Sequence, residues 1–217
     1  MIPYVNFILT AAIALNLYIV SSSRLRSCVQ AAALQGSVLA FLPILLWGTQ
    51  ASKLEIINLL LIGIGTLGVK ALLIPFLMFR SIQEANVRRE VEPFISLHLS
   101  LSAAAVLVII SFWISKVTGL PHPPSAYLVP AAFSGILIGF LIMVSRQKAI
   151  TQVIGYLIFE NGIFIFGQIL FQKIPLAVEL GVLLDLLVGI LVMGIAIYHI
   201  SREFDHIDVS RLDGLKG

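Results

Sequence analysis

AITQVIGYLIFENGIFIFGQILFQ (residues 149–172) is almost entirely apolar, yet it holds a carboxylate, Glu160, near its middle. An apolar run of about 20 residues is long enough to cross a bilayer as a helix. A charge at the centre of such a helix costs about 2.5–3.5 kcal/mol on insertion scales. The stretch therefore predicts a membrane-spanning helix whose buried carboxylate has either a partner or a function.

The composition of the whole chain is that of a membrane protein. Of its 217 residues, 59% are hydrophobic and 12% are charged, whereas about 25% of the residues in soluble domains are charged. Seven runs are long and apolar enough to span a membrane: 2–21, 28–49, 56–79, 94–115, 125–144, 149–172 and 176–200. The longest connection, 80–93, is predicted to form a short interfacial helix or a loop. The predicted fold class is therefore all-α, a polytopic membrane protein with seven transmembrane helices.

The basic residues predict how these helices are oriented. One set of connections, together with the tail, carries ten of the 14 Lys and Arg residues: Arg24, Arg26, Arg80, Arg88, Arg89, Arg146, Lys148, Arg202, Arg211 and Lys216. The alternate connections carry three: Lys53, Lys116 and Lys173. Because cytoplasmic loops are enriched in Lys and Arg, we expect the N-terminus outside and the C-terminus in the cytoplasm. The expected location is the inner (plasma) membrane.

Three ionisable residues are predicted to lie near the middle of the membrane: Lys70 in span three, Glu160 in span six and Asp185 in span seven. Glycines four residues before and after Asp185 let a neighbouring helix approach closely, so its side chain is expected in a helix interface. Two interpretations of the three residues are open. They form a structural ion pair that fixes helix packing, or they transfer protons or another cation.

Four further polar residues are auxiliary candidates at such a site: Asn161, Gln152, His98 and Gln35. Gln152 falls on the same helical face as Glu160, together with Tyr156, Gly167 and Gln168. Asn161 is turned about 100° from Glu160 and is expected to bond to a neighbouring helix. His98, near the cytoplasmic end of span four, is a candidate proton relay.

Two prolines predict distortions next to polar groups. A proline inside a helix removes one backbone hydrogen bond. Pro75, five residues after Lys70, is therefore expected to loosen the turn beside the buried amine. Pro43, which follows Gln35, is expected to kink span two.

The sequence indicates no cofactor and no metal. Cys28 is the only cysteine and the four histidines are scattered, so neither a disulfide framework nor a metal-ligand spacing is present. GIGTLG (63–68) matches G-x-G-x-x-G, but it lies inside an apolar run instead of between a strand and a helix. We interpret these glycines as helix-packing residues. No catalytic residue and no nucleic-acid partner are predicted.

Several stretches indicate a family resemblance that covers nearly the whole chain. VKALLIP (69–75), QVIGYLIFENG (152–162) and FDHIDVSRLDGLKG (204–217) resemble component E of the hydrogenase-4 type of membrane-bound nickel–iron hydrogenases. The resemblance implies a membrane-arm subunit of an energy-converting hydrogenase or of a complex I-like assembly.

The C-terminal half also resembles smaller antiporter-like proteins. Residues 135–167 and 174–198 are similar to subunit K of respiratory complex I and to the small C component of multisubunit Na⁺/H⁺ antiporters, which have three helices. Asp185 falls where subunit K has a membrane glutamate, whereas Glu160 follows Gly155 by five residues instead of the two typical of that family. This resemblance divides the chain into four N-terminal helices with Lys70 (1–124), a three-helix antiporter-like module (125–200) and a cytoplasmic tail (201–217).

Together the resemblances imply a function and partners. The chain is expected to be a non-catalytic, ion-translocating subunit of an oxidoreductase complex, in which Lys70, Glu160 and Asp185 contribute to the movement of H⁺ or Na⁺. The implied partners are other membrane subunits, including antiporter-like ones, and a peripheral redox module, besides the lipid bilayer. Two alternatives are a structural or assembly subunit of the same complex and a subunit of a cation/proton antiporter.

The predicted orientation can be measured with reporter fusions. A reporter that is active only in the cytoplasm should be active when fused after Lys216 and inactive when inserted into 117–124, because the basic residues favour a cytoplasmic tail. A reporter that is active only outside the membrane should give the opposite pattern. External activity of the fusion after Lys216 would overturn the orientation.

Overall fold

A computed structural model describes residues 2–48, 53–84, 95–118 and 125–170. These ranges are almost entirely helical and contain no β-strand. The elements are α1 (Ile2–Ser21), α2 (Leu25–Leu39), α3 (Leu42–Trp47), α4 (Lys53–Leu67), a π-helical segment (Gly68–Leu73), α5 (Ile74–Glu84), α6 (Leu97–Val117), α7 (Leu128–Ser145) and α8 (Ala149–Leu170).

Six helical stretches within the described ranges are long and apolar enough to cross a membrane. They are Ile2–Ser21, Leu25–Trp47, Gly63–Arg80, Leu97–Val117, Leu128–Ser145 and Ile150–Ile169. They correspond to the first six predicted spans and identify the chain as a multi-pass membrane protein. The seventh predicted span (176–200), which holds Asp185, and the tail (201–217) lie outside the described residues. The seventh span and the orientation stay predictions.

Hydrogen bonds at both ends of α1 show how it lies against α7. Near the start of both helices, the Ser125 hydroxyl donates to Asn6 Oδ1 at 2.6 Å. At their far ends, Arg146 Nη2 donates to the carbonyl of Val20 at 2.9 Å. The first and fifth spans are therefore parallel, as the short connections between alternating spans require.

Helices α7 and α8 pack against each other at backbone contact. A Cβ atom added to Gly139 would lie 2.5 Å from the Phe159 nitrogen and 2.6 Å from the Gly155 carbonyl oxygen. One added to Gly162 would lie 2.5 Å from the Ile136 nitrogen. Small residues drive close helix association in lipid because the backbones themselves come into contact. This glycine interface fixes α8, which carries Glu160, against α7.

Both predicted distortions are present. The second span breaks after Leu39, and α3 begins with Pro43 in its first turn. In the third span the π-helical segment ends just before Pro75, and the Ile74 N–H donates to the Val69 carbonyl, five residues back. Such π segments are rare and are frequent at functional sites. The turn that carries Lys70 is therefore locally wider than an α-helix.

The helices differ in how much of their surface the protein covers. In α7 and α8, 61% of the span residues are buried, but in α6 only 17% are. The buried residues of α6 are small, Ser100, Ala104 and Ser111, and α6 packs against α1 and α7. Most of its other face is not covered by the described residues.

The predicted packing role of the glycines of 63–68 is not seen for all of them among the described residues. The stretch lies within α4 and the first residue of the π-helical segment, which is not the setting of a nucleotide-binding turn. No described residue lies within 4 Å of a Cβ added to Gly65 or Gly68. Among the described residues these two glycines have no packing partner, and the packing interpretation stays a prediction for them.

The glycine interface gives a test with an internal control. Gly139→Ala should destabilise the protein by about 1–3 kcal/mol, because the added methyl group meets backbone that cannot move aside. Gly65→Ala should change stability by at most about 1 kcal/mol, and in the stabilising direction, because alanine favours a helix and the methyl group has room. Thermal denaturation in the same detergent compares the two. Equal stability of both variants would contradict the close packing.

Candidate functional site

An ion pair between two of the three predicted ionisable residues lies in the middle of the bundle. Nζ of Lys70 is 2.8 Å from Oε1 of Glu160. The Lys70 side chain is 7% exposed and that of Glu160 is 0% exposed. The π-helical segment supplies the amine and the middle of α8 supplies the carboxylate. Asp185 lies outside the described residues, so its relation to this pair is not tested.

Two neighbours of Glu160 on α8 also contact the lysine. Lys70 Nζ donates a hydrogen bond to Oδ1 of Asn161 at 2.9 Å. The ammonium also lies 5.5 Å from the centre of the Phe164 ring, within the range of a cation–π interaction. The expectation that Asn161 bonds to a neighbouring helix is confirmed. The α8 face thus surrounds the positive charge with a carboxylate, an amide oxygen and an aromatic ring.

A chain of amides continues from Asn161 through α2 to α1. Nδ2 of Asn161 donates to Oε1 of Gln35 at 3.4 Å. Nε2 of Gln35 donates to Oδ1 of Asn16 at 2.9 Å and to the main-chain carbonyl of Ala12 at 3.3 Å. All three amide side chains are buried. Three helices are therefore connected to the ion pair by hydrogen bonds.

Asn16 is a member of this chain that the sequence reasoning missed. It lies in the middle of a mostly apolar span, and a buried amide in a membrane helix needs a partner for the same reason as a buried charge. Because asparagine carries no charge, it is not among the ionisable residues that mark the site in the sequence. An amide inside a 20-residue apolar run was the pattern that could have identified it.

The aliphatic part of Lys70 passes over α2 at a glycine. A Cβ added to Gly36 would lie 3.0 Å from Cδ of Lys70, so a larger residue here would push the lysine away. Beside this contact is a narrow cleft between α2, α8 and the segment around Pro75, lined also by Ala32 and Leu157. The space within it that a water molecule can occupy is about 10 Å³, close to the minimum for one water.

The ion pair is incompletely satisfied on the carboxylate side. Oε2 of Glu160 is buried and has no hydrogen-bond partner among the described residues. A buried ion pair is stable only when the two charges attract each other strongly and the remaining lone pairs are also bonded. This oxygen is therefore a place where a proton or a water molecule can bind. Chemically, the arrangement can hold a proton on either Lys70 or Glu160.

The other auxiliary candidates lie away from the pair. Gln152 is exposed, and its Nε2 donates to the main-chain carbonyl of Arg146 at 3.0 Å. The prediction of one buried face was wrong for Gln152 because it lies in the first turn of α8, where it bonds the end of α7. Gln168, on that face, is buried. His98 is exposed near the start of α6.

Arg146 has a position that its sequence context did not indicate. It was counted among the loop residues that set the orientation, but its side chain is only 2% exposed. The guanidinium reaches the carbonyl of Val20 at the end of α1, where the helix dipole favours a positive charge. Arg146 therefore also joins the ends of α1 and α7. Within the described ranges, no three His, Cys, Asp or Glu side chains lie close enough together to hold a metal ion.

The fold and the site define a polytopic helical membrane protein with a buried ion pair. The chain is 33% identical, over 98% of its own length and 96% of the relative's, to the uncharacterized protein Rv0085 of Mycobacterium tuberculosis. The chain belongs to the same family as that protein.

A second group of relatives matches part of the chain. Hydrogenase-4 component E of Escherichia coli K12 and that of Shigella flexneri are each 30% identical to it over 122 residues. The match covers 55% of this chain and 55% of each relative, so the chain spans about half the length of these proteins. No model of a known protein family matches the chain. No solved structure matches it. The resemblance to subunit K and to the small antiporter component is not tested by these comparisons and stays a prediction.

Removing one partner of the pair should cost more than removing both. Lys70→Met and Glu160→Gln should each destabilise the protein by about 3–5 kcal/mol if the remaining group keeps its charge. The Lys70→Met/Glu160→Gln double variant should lose clearly less than the sum of the two single losses, because no unpaired charge is left. Thermal denaturation of the four proteins measures the difference.

As a matched control, Lys70→Met is combined with Ser134→Ala in the same comparison of single and double variants. Ser134 is buried, and its hydroxyl donates to the Ala131 carbonyl within α7, so this pair shares no partner and its losses should add. Additive losses for Lys70→Met and Glu160→Gln as well would show that the two residues are not coupled.

Proposed function

We propose that the chain is a membrane-arm subunit of a hydrogenase-4-like complex in the plasma membrane, and that its Lys70–Glu160 pair transfers protons within that arm. The similarity to hydrogenase-4 component E, together with six helices able to span a membrane, supports membership of such an arm. Partner subunits, among them antiporter-like membrane subunits and a peripheral redox module, carry out the redox chemistry in this proposal.

One observation carries the proton-transfer part of the proposal: among the described residues, the buried carboxylate has an ionic contact with Lys70 at Oε1, 2.8 Å away, and no hydrogen-bond partner at either oxygen. In a pair that serves only to fix helices, we expect the lone pairs of both oxygens to be satisfied, because an unbonded buried oxygen reduces stability. A proton-transfer site needs the opposite. It requires an oxygen that is available to a proton and a nearby charge that controls when the proton binds.

The proposed step involves only the pair and a proton donor. In the charged form of the pair, the Lys70 ammonium lies beside the Glu160 carboxylate. When the ammonium transfers its proton to the carboxylate, the N–H bond breaks, an O–H bond forms and both groups become neutral. A further proton can then reach the amine through the cleft beside Gly36, and Glu160 releases its proton to the next site. We propose Asp185 on span seven as that next site.

The geometry favours H⁺ over Na⁺ as the transferred ion. A metal cation would need the oxygens of Glu160 and Asn161 as ligands, and the ammonium of Lys70 already lies 2.8 Å from one and 2.9 Å from the other. A second positive ion beside it would be repelled in this low-dielectric interior. A proton needs no such space, because Nζ of Lys70 and Oε1 of Glu160 are already close enough for direct transfer.

A structural or assembly role is the second candidate. The hydrogen bonds from Lys70 and Asn161 through Gln35 to α1 connect helices that are far apart in sequence, as a packing device would. A structural role predicts a different effect of substitutions that remove the charge of Lys70, Glu160 or Asp185. Such substitutions should reduce assembly of the complex and leave translocation by each assembled complex unchanged.

Translocation and assembly measured on the same membrane vesicles separate the two candidates. Glu160→Gln and Asp185→Asn keep the size of the side chains but cannot ionise. Each should lower proton translocation per assembled complex by about 100-fold, the lower end of what loss of a proton-transferring side chain costs. Ser134→Ala, a buried substitution away from the pair, should leave it unchanged. Normal translocation by a fully assembled Glu160→Gln/Asp185→Asn variant would end the proton-transfer proposal.

A further inference from the structure

In the chain of amides that leads from α1 to Lys70, each side chain has its oxygen on one side and its nitrogen on the other. The main-chain carbonyl of Ala12, at the α1 end, favours one of the two possible orientations. A main-chain carbonyl can only accept hydrogen bonds, whereas a side-chain amide can turn either its oxygen or its nitrogen towards a neighbour. At 3.3 Å from the Ala12 carbonyl, Gln35 must therefore present its nitrogen. The same nitrogen bonds the oxygen of Asn16. The oxygen of Gln35 is consequently left facing α8.

That choice determines the orientation of the next amide. Since the oxygen of Gln35 is an acceptor, Asn161 must turn its nitrogen towards Gln35, and the two atoms lie 3.4 Å apart. The oxygen of Asn161 then points the other way, to Lys70 Nζ at 2.9 Å. The acceptor-only carbonyl on α1 and the donor-only ammonium of Lys70 thus favour the same orientation of Asn161. When Lys70 loses its proton, the bond from Asn161 to Gln35 still holds that orientation.

We propose that Gln35 is a positioning residue that, through Asn161, keeps the shared proton of the Lys70–Glu160 pair on the lysine. This deepens the proposed function, on which it rests, by naming what holds the pair in its charged form before a proton is transferred. Asn16 assists, because it is the second acceptor for the Gln35 nitrogen.

The physical reason is the difference between an acceptor and a donor next to an ammonium. Facing the oxygen of Asn161, the ammonium has a hydrogen-bond partner in addition to Glu160, and hydrogen bonds to the charged form favour that form. If Asn161 turned its nitrogen to Lys70, two donors would oppose each other. The proton would then move from Nζ to Oε1 of Glu160, leaving a neutral amine whose lone pair accepts from Asn161 and a neutral carboxylic acid. No other reactant is needed.

The contacts described for Lys70 include one titratable group. From α8, the ammonium is faced by Glu160, Asn161 and Phe164. From α2, Gly36 contacts its aliphatic part and Gln35 lies behind Asn161. Among these groups Glu160 is the one that can accept the proton of the ammonium, and its carboxylic acid form is what the experiment detects.

Infrared spectroscopy of the full-length chain in its assembled complex tests this directly. The band of a protonated carboxylic acid is assigned to Glu160 by its loss when Glu160→Gln is added to each protein. At pH 7 it should be weak in the parent. Gln35→Met, which fills the same space but cannot accept, should raise the ratio of neutral to charged pair by up to about tenfold, the limit reached if Asn161 also gives up its hydrogen bond to the ammonium.

Controls distinguish positioning from packing. Gln168→Met replaces another buried glutamine on α8 and should leave the Glu160 band unchanged. If the Gln35→Met protein does not fold, Gln35→Ala tests the same loss of the glutamine side chain. Even if water enters the space, water both donates and accepts, so nothing beyond Lys70 itself selects the orientation of Asn161 and the band should again rise. Asn16→Leu should raise the Glu160 band much less, because Gln35 still donates a hydrogen bond to the Ala12 carbonyl.

The positioning role is overturned if assembled Gln35→Met or Gln35→Ala shows no more protonated Glu160 than Gln168→Met does. The measurement does not depend on transport, so the two proposals can fail separately. If Gln35→Met raises the band while Glu160→Gln leaves translocation unchanged, the positioning role stands and the proposed function fails.

Discussion

The contact that the rest of the structure depends on is the bond between Lys70 and Glu160 in the middle of the bundle. Either charge alone would be costly at that depth, and each is tolerated because the other lies 2.8 Å away. The two charges therefore hold α8 against the third span, although these two helices are far apart in sequence. It also gives a reason for the polar residues around the pair, since an amide oxygen and an aromatic ring both stabilise the ammonium.

The packing of α8 explains how its carboxylate is aimed at the lysine. One face of the helix, with Gly155 and Gly162, lies against the backbone of α7 and leaves little freedom to rotate. Glu160 and Asn161 lie on other faces, towards α2 and the π-helical segment. A rigid contact on one side thus fixes the geometry of a polar contact on the other. Dispersion forces between backbones here take the place that a hydrophobic core has in water.

Much of this arrangement could be predicted from the sequence because lipid imposes simple rules. Apolar runs of membrane length gave the described spans, and the cost of buried charge identified Lys70 and Glu160 as residues in need of partners. That the two would meet could not be predicted, since hydropathy contains no information on which helices are neighbours. The burial of Arg146 was missed for a related reason: at the end of a span, a basic residue can point either to water or inward to a helix end. Helical periodicity was misleading for Gln152, where the end of α7 offered another partner.

The π-helical segment has a consequence for insertions and deletions. A π turn holds one more residue than the α-helix on either side of it, and one residue corresponds to about 100° of rotation around a helix axis. A chain that lacked a single residue between Gly68 and Leu73 could continue as an uninterrupted α-helix, because the π turn accommodates the extra residue locally. The helix before and after the segment would keep its direction, but a lysine within the segment would point in a different direction and could face a different helix. The length of this segment, as much as the presence of Lys70, therefore determines whether a related chain can form the ion pair.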